Sequence, residues 1–402
     1  MRKGTWARLL PALLLVLAPF MEGCGDFWQA PSGSGGGGTT PTTLSSGVFY
    51  VLNQTTKQIV AYYINAGSLT TIGTYALTAA PYAIAIAPNN AFLYVATATG
   101  GIYLYTIGST GALTIGNNGQ AISSDLASAM VVDTTGAWLI DAETGGSGVI
   151  VNAIAINSSG TLASSQEQEE TQSYKVTGAS VQKMALSGDD ANIFLALGEG
   201  GSLVIPFTSA NTNPLASSAS TIVTVTSGAS ALSVAVDPGT TPRLFYVGET
   251  EASSSSGGLR AFEYSSLGGS SVTEIAGSPY SAGGLAPAAI LPDTAGNDVY
   301  VASGQGTTGD GVLQGFNIAT STSGSTTTYS LSSISTVATG IQPQGLAEDS
   351  LGNFVLAVSS GGSYDLEAYI FDTTTAGKLD DSINSTTGTD PTGAWAVAAQ
   401  AP

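Results

Sequence analysis

The stretch PYAIAIAPNNAFLYVATATGGIYLYTIGSTGAL, residues 81–113, decides the fold. It begins with a short apolar run, residues 83–86, that ends at a Pro-Asn-Asn turn, and a second run follows at residues 92–96. The second run is rich in aromatic and β-branched residues, and such runs between turn residues are typical of β-strands. Gly100-Gly101 then reverses the chain into a third alternating run, residues 102–107. The stretch therefore predicts three neighbouring antiparallel strands, which is most of a four-stranded propeller blade.

The same unit recurs along the chain with a period of about fifty residues, which is typical of propeller blades. The run that predicts the inner strand of a blade recurs from its first copy to the C-terminus, beginning at Pro81, Ser128, Gln182, Leu232, Pro287, Pro343 and Pro391. The run that predicts the second strand recurs in the same way, beginning at Val48, Phe92, Ala137, Ile193, Leu244, Asp298 and Phe354.

The two ends of the chain carry complementary halves of one unit. The first second-strand run, residues 48–52, has no inner strand before it, and the last inner-strand run, residues 391–398, has no second strand after it. An open β-solenoid is the competing interpretation, but it gives no reason for two matching half-units. In a closed ring the C-terminal strand completes the first blade and leaves no large exposed sheet edge. The sequence therefore predicts an all-β, seven-bladed β-propeller over residues 47–402, with four-stranded blades.

The N-terminus predicts export. Residues 1–23 contain three basic residues followed by an apolar core that is too short to span a bilayer. The residues around Gly23-Cys24 resemble the lipobox of bacterial lipoproteins, which implies lipidation of Cys24, the only cysteine of the chain. Residues 24–46 are rich in Gly, Ser, Thr and Pro and predict a flexible tether. We expect a protein held at the cell envelope by its lipid, on the outer membrane or cell surface; the alternative is an ordinary secretory signal and a periplasmic or secreted protein.

The charge of the chain limits its partners. The formal net charge is −19, with 28 acidic and 9 basic residues, and the sequence has no basic patch. Such a surface repels phosphate groups, so nucleic-acid binding is excluded and contact with a membrane is expected only through the lipid anchor. We expect a monomer that binds a protein or a carbohydrate-like ligand at the mouth of the propeller channel.

Several segments resemble the lactonase-like family of seven-bladed propellers, which includes 6-phosphogluconolactonases and carboxymuconate cyclases. The segments that carry this resemblance are residues 49–53, 59–62, 67–70, 81–88, 92–96, 111–114 and 388–397. The resemblance covers nearly all of residues 47–400. It implies an active site at one mouth of the channel, built from histidine, arginine and glutamate.

This chain lacks most of the side chains that the resemblance implies. It has no histidine, and Gln182 stands where the family has one in an inner strand. Gln344 stands where the family has an arginine. Residues 228–232 stand where the family has a Gly-Pro-Arg-His segment. Glutamine cannot supply the positive charge that stabilises an oxyanion. Glu249 alone matches the family's glutamate, and Arg260 lies close to it in sequence.

Two functional hypotheses follow. The first is a binding or scaffold module of lactonase-like descent. The second is a lactone hydrolase with a histidine-free site, for which Glu249 and Arg260 are the candidate catalytic residues. The alternative is that neither residue is catalytic: Glu249 would be a solvated acid in a loop, and Arg260 would form an ion pair at the surface. No cofactor and no metal site is predicted, because the literal G-x-G-x-x-G at residues 304–309 precedes a strand rather than a helix, and the acidic pairs lack the spacing of a calcium loop.

Overall fold

The computed structural model describes residues 44–163, 169–217, 221–238, 244–253, 256–264, 272–306, 309–324, 326–386 and 388–402. The predicted export signal, Cys24 and nearly all of the predicted tether lie outside these residues. Within the described part of the chain, no helix is both long and apolar enough to cross a membrane.

The first half of the chain forms short antiparallel strands that succeed one another along the sequence. The strands nearest the N-terminus are β1 (Phe49–Asn53), β2 (Gln58–Asn65) and β3 (Ser68–Ala76). The next sheet contains β4 (Pro81–Ile86), β5 (Phe92–Thr97), β6 (Gly101–Ile107) and β7 (Leu113–Ile115). The sheet after it contains β8 (Ala129–Val132), β9 (Trp138–Gly145), β10 (Gly148–Ala155) and β11 (Glu169–Lys175).

The second half of the chain continues the pattern. Two further four-stranded sheets contain β12 (Lys183–Leu186), β13 (Asn192–Ala196), β14 (Ser202–Pro206) and β15 (Thr221–Val223), and then β16 (Ala231–Val236), β17 (Leu244–Ser253), β18 (Ser256–Tyr264) and β19 (Val272–Glu274). The last strands are β20 (Ala286–Pro292), β21 (Asp298–Gly304), β22 (Asp310–Ser323), β23 (Thr326–Glu348), β24 (Phe354–Gly361), β25 (Leu366–Phe371), β26 (Leu379–Asn384) and β27 (Ala394–Ala399).

The ring closes as the sequence predicts. Strand β27 pairs with β1 in antiparallel orientation, so the first blade has the order β27-β1-β2-β3. Val51 of β1 lies opposite Val397 of β27, and Phe49 lies opposite Ala399. The prediction of an all-β, seven-bladed propeller closed by its C-terminal strand is therefore confirmed.

The sixth and seventh blades share one long strand, which the sequence does not predict. Strand β23 pairs with β22 up to Ile341 and with β24 from Ile341 onward, so the two blades form one seven-stranded sheet. Gln342, just after the change of partner, has a positive φ of 54°. The backbone turns at this point without leaving the hydrogen-bonded ladder, because Gly340 and Pro343 beside it allow a sharp bend.

The core lies between the blades. Each hydrophobic cluster joins two adjacent blades, and together the clusters follow the ring from the first blade back to itself. The second strand of a blade therefore packs on both faces, and β1 and β13 are buried at every position. This double burial is the physical reason for the Phe-Leu-Tyr-Val pattern that makes the repeat visible in the sequence.

The tyrosines of the second strands also join neighbouring blades. Three of their hydroxyl groups donate hydrogen bonds to glycine carbonyls in the next blade: Tyr50 to Gly111 (2.9 Å), Tyr94 to Gly160 (2.9 Å) and Tyr300 to Gly377 (2.6 Å). Gly111 has a φ of +81°, and a Cβ there would meet the Val48 side chain at 2.6 Å. Only glycine fits such a turn without strain.

Many acidic residues serve the fold. Carboxylates at the ends of inner strands accept hydrogen bonds from the main chain where the second strand begins, as in Asp133 with Trp138 (2.7 Å), Asp293 with Asp298 (2.8 Å) and Asp349 with Phe354 (2.6 Å). These acids hold the turn between two strands, so their recurrence reflects the repeat and does not indicate a metal site.

One buried acid makes stability depend on pH. Asp141 in β9 is fully buried, and its Oδ1 accepts a hydrogen bond from Asn152 Nδ2 at 3.0 Å. Burial and then the charge of Asp125 raise the pKa of Asp141 to about 8. Between the ordinary carboxyl pKa of about 3.9 and pH 8, the folded protein keeps this proton while the unfolded chain has lost it. The contribution of Asp141 to folding stability therefore falls as pH rises through this window and is constant above it.

We expect Asp141→Asn to remove this dependence. Its free energy of unfolding, relative to the wild type, should rise by about 1.4 kcal/mol per pH unit between pH 5 and pH 8 and then level off. Urea denaturation at a series of pH values measures the difference. Parallel curves for the two proteins over this range would show that Asp141 is ionised in the folded state.

Candidate functional site

A cavity of about 670 Å³ lies at the mouth of the channel, where the inner strands begin. It is lined by side chains from inner strands around the ring, among them Tyr82, Gln182, Lys183, Gln342, Gln344 and Trp395. Tyr82 belongs to β4 and Trp395 to β27, while Lys183 is the first residue of β12 and Gln182 directly precedes it. The closed ring therefore brings together polar and aromatic residues that are far apart in sequence.

A second cavity of about 220 Å³ continues the first into the channel. Tyr82, Ser128 and Lys183 line both cavities. One apolar side chain from every inner strand surrounds the second cavity: Ile84, Met130, Met184, Val234, Ile290, Leu346 and Val397. The second cavity is thus enclosed by all seven blades, and Ser128, Lys183 and Ser233 add polar groups to its lining.

Lys183 lies where the two cavities meet. Its Nζ donates a hydrogen bond to the main-chain oxygen of Gln344 at 2.9 Å. Lys183 belongs to the fourth blade and Gln344 to the seventh, so the lysine side chain crosses the channel. Burial lowers the pKa of Lys183 to about 8. It is the only basic residue among those described as lining either cavity.

An aromatic pair forms one wall of the mouth. The ring centroids of Tyr82 and Trp395 lie 6.4 Å apart, with an interplanar angle of 47°. Trp395 Nε1 donates a hydrogen bond to the main-chain oxygen of Tyr82 at 3.1 Å, which fixes the indole. Tyr82 remains 41% exposed. The pair therefore offers an ordered and accessible aromatic surface beside the polar residues of the cavity.

The two candidate catalytic residues lie together, in the fifth blade. Glu249 is in β17 and Arg260 in the middle of β18, and Arg260 Nη1 lies 2.6 Å from Glu249 Oε1. Arg260 also forms a two-pronged ion pair with Glu274, through Nη2 at 2.6 Å and Nε at 2.9 Å. The pairing holds the pKa of Glu274 below its usual range and raises that of Arg260.

The cluster of Glu249, Arg260 and Glu274 also forms hydrogen bonds with Thr224 and Thr226, which precede the inner strand β16. Glu249 Oε2 accepts a hydrogen bond from the Thr226 amide at 3.1 Å, and Arg260 Nη1 donates one to the Thr224 carbonyl at 2.8 Å. Glu249 is fully buried, so its interpretation as a solvated loop acid is wrong. The predicted ion pair of Arg260 is present, but it is not at the surface, because the Arg260 side chain is only 15% exposed. Neither residue lines the cavities, and a catalytic role for the pair stays a prediction.

Other positions singled out by the sequence do reach the cavity. Gln182 and Gln344, which stand where the family resemblance implies a histidine and an arginine, line the mouth, and so does Leu232 of the segment 228–232. The segment at residues 304–309 is followed by strand β22, which pairs with β21 in antiparallel orientation, so the prediction that a strand rather than a helix follows this segment is confirmed. Within the described residues, no group of three or more potential metal ligands is found. Lys183 is not among the residues predicted from the sequence, where its only signal is a single charge at the start of an apolar inner-strand run.

Comparisons with known proteins agree with this fold. Residues 42–392 match the family model described as lactonase, 7-bladed beta-propeller. No curated protein matches the chain significantly in sequence. A putative 6-phosphogluconolactonase from Bacteroides uniformis is similar in structure, with a TM-score of 0.67 and 16% identity over 88% of this chain and 99% of that chain. A periplasmic gluconolactonase from Pseudomonas aeruginosa has a TM-score of 0.62 and 15% identity, with 88% and 99% covered.

Proposed function

We propose a function for this chain, which belongs to the lactonase family of seven-bladed β-propellers. We infer that it is a binding module of lactonase-like descent, which takes a small polyhydroxylated, carbohydrate-like ligand at the channel mouth. The observation that supports this most is the lining of the mouth, where an aromatic pair, three glutamines and one lysine converge.

The lining matches the chemistry of a sugar or sugar acid. Such a ligand has hydroxyl groups at its edges and C–H groups on its faces. The amides of Gln182, Gln342 and Gln344 both donate and accept hydrogen bonds, so they suit hydroxyl groups. The ring faces of Tyr82 and Trp395 suit the C–H faces. Lys183 adds a positive charge that favours a carboxylate or a polarised oxygen.

The same lining does not favour hydrolysis. Opening a lactone requires a base that activates water and a charged or hydrogen-bonding group that stabilises the oxyanion. Among the described residues that line the mouth, none is an aspartate, glutamate, histidine or arginine. Glu249 has one carboxylate oxygen on Arg260 and the other on the Thr226 amide, so neither is directed at the cavity.

Calorimetric titration with glucose, gluconate and galacturonate tests the proposal. We expect saturable binding of at least one of them, and an affinity at least tenfold lower in Trp395→Ala, which is about 1.4 kcal/mol. Tyr364→Ala is the control, because Tyr364 is an exposed aromatic residue that does not line the cavity. Equal losses in both variants, or no binding of any ligand in the panel, would count against the proposal.

A lactone hydrolase is the second candidate, and family membership supports it. Its test is the rate of gluconolactone opening with the wild type and with Glu249→Gln. We expect a rate equal to the spontaneous one in both cases. If the rate is proportional to protein concentration, and a folded Glu249→Gln variant loses it, the protein is a lactone hydrolase and the proposal of a binding module is wrong.

We also propose that the protein is exported and anchored at the cell envelope through Cys24. The support is the export pattern of residues 1–23, and a structural neighbour bears the description periplasmic. Cys24→Ser should move the protein from the membrane fraction to the soluble fraction of an expressing bacterium. Membrane retention of this variant would contradict lipid anchoring.

A further inference from the structure

Lys183 differs from the other lysines that the structure describes. Lys57 and Lys175 are exposed on the surface, and Lys378 forms a partly exposed ion pair with Asp372 at 3.0 Å. Lys183 faces a cavity, and its one hydrogen-bond acceptor is an uncharged main-chain oxygen, that of Gln344. No carboxylate forms an ion pair with Lys183 within the described residues. The fold therefore places an amine without a counter-charge inside a chamber that is open to small molecules.

This environment favours the neutral amine. With a pKa of about 8, about half of the Lys183 amines carry no charge at pH 8. For an ordinary lysine with a pKa of about 10.4, the neutral fraction at that pH is only about 0.4%. The neutral form is the nucleophile, and removal from water is one of the ways in which proteins activate lysines. The surrounding space of about 670 Å³ accommodates a substrate beside the amine.

We propose that Lys183 is a reactive amine that holds a small hydroxyaldehyde, such as the open-chain form of a short sugar, as a reversible imine in the channel mouth. The Nζ lone pair attacks the carbonyl carbon and forms a C–N bond, and a proton moves from nitrogen to oxygen to give a carbinolamine. Loss of water then breaks the C–O bond and leaves the imine. Hydrolysis reverses both steps, and no oxidant or reductant is consumed.

The geometry supports this chemistry at one point of the channel. Lys183 lines both cavities, and the amides of Gln182 and Gln344 line the outer one, where they can bind the hydroxyl groups of an aldehyde held by the amine. The attack requires Lys183 to give up one hydrogen bond, the one to the Gln344 carbonyl. The inference goes beyond the proposed function, which needs only non-covalent binding.

Reductive trapping tests the inference. The full chain is incubated at pH 7.5 with glyceraldehyde and cyanoborohydride, which reduces an imine to a stable amine, and peptide masses are measured after cleavage at acidic residues. We expect Lys183 to be modified at least ten times faster than Lys57 and Lys175. The rate at Lys183 should reach half of its maximum near pH 8. Lys183→Arg, which keeps a cation but cannot form this imine, should lose the adduct and retain its circular dichroism.

Two results would overturn the inference. One is modification of Lys183 no faster than that of Lys57, or a half-maximal rate near pH 10, since either marks an ordinary amine. The other is a preference for Lys183 that persists in concentrated urea, because selectivity produced by the folded channel must disappear on unfolding. Either result would leave the non-covalent binding of sugars untouched, since that is measured separately by calorimetry.

Discussion

A chain that ends after Thr392 is expected to lose the cooperative fold of the whole propeller. The missing segment contains β27, which supplies the inner strand of the first blade. Without it β1 becomes an open edge, and the cluster that contains Phe49, Val51 and Phe354 loses Ala394, Val397 and Ala399. Domains are stable by only about 5–15 kcal/mol, and loss of one strand at a closed interface removes a large part of that. We therefore expect no folded population at 25 °C.

Thermal unfolding followed by near-ultraviolet circular dichroism measures this effect. The matched control ends after Gln400, which removes only two exposed residues and keeps the hydrogen bond from Gln400 to the Val48 carbonyl. This control should unfold within a few degrees of the full chain. Addition of a synthetic peptide of residues 393–402 to the truncated chain should restore part of the transition. A truncated chain that unfolds cooperatively near the wild-type temperature would contradict closure of the ring by β27.

Arg260→Met is expected to have the second-largest effect. It leaves Glu249 buried without its counter-charge and removes the two hydrogen bonds from the guanidinium to Glu274, which keeps the one from Ser278. Removal of one partner of a buried ion pair lowers the free energy of unfolding by about 3–5 kcal/mol, mainly because the remaining charge stays buried without a counter-charge. The Thr224 carbonyl also loses its hydrogen bond from the guanidinium, so the segment that precedes β16 is destabilised as well. Urea denaturation at pH 7 measures the change in free energy of unfolding.

Two further variants separate the cause. Lys378→Met breaks the more exposed pair with Asp372, and exposed ion pairs contribute little to stability because water screens them, so it is the matched control. The double variant Arg260→Met, Glu249→Gln should be more stable than Arg260→Met, since it removes the orphaned charge and keeps an acceptor for the Thr226 amide. If Arg260→Met and Lys378→Met cost the same, the cluster in the fifth blade is not a structural element.

The fold was predictable because the same physical demand is repeated in every blade. Second strands pack on both faces, so runs such as residues 92–96 are aromatic and apolar throughout, and the period is visible without an alignment. The half-units at the two ends then required closure, which the pairing of Val51 with Val397 confirms. The shared strand β23 was not predictable, since turn residues near Gln342 signal a break in the chain but do not show whether pairing continues through it.

The candidate site was harder to predict, because it depends on which side chains point into the channel. The family resemblance predicted a site at one mouth of the channel, and Gln182 and Gln344, which it singled out, line a cavity there. Lys183 was missed since alternation along a strand predicts that neighbours face opposite ways, yet Gln182 and Lys183 both line the cavity. The burial of Glu249 was not predicted for a related reason. Glu249 is paired with Arg260, which is held in turn by Glu274, and the strand that carries Glu274 is not evident from the sequence.

A crystal structure of the full chain with gluconate tests the central claim most directly. We expect gluconate in the channel mouth, with its carbon chain against Tyr82 and Trp395, its hydroxyl groups at the glutamine amides and its carboxylate towards Lys183. Gluconate bound elsewhere on the propeller, or an empty mouth at a concentration well above the dissociation constant found by calorimetry, would contradict the claim that this cavity is the functional site.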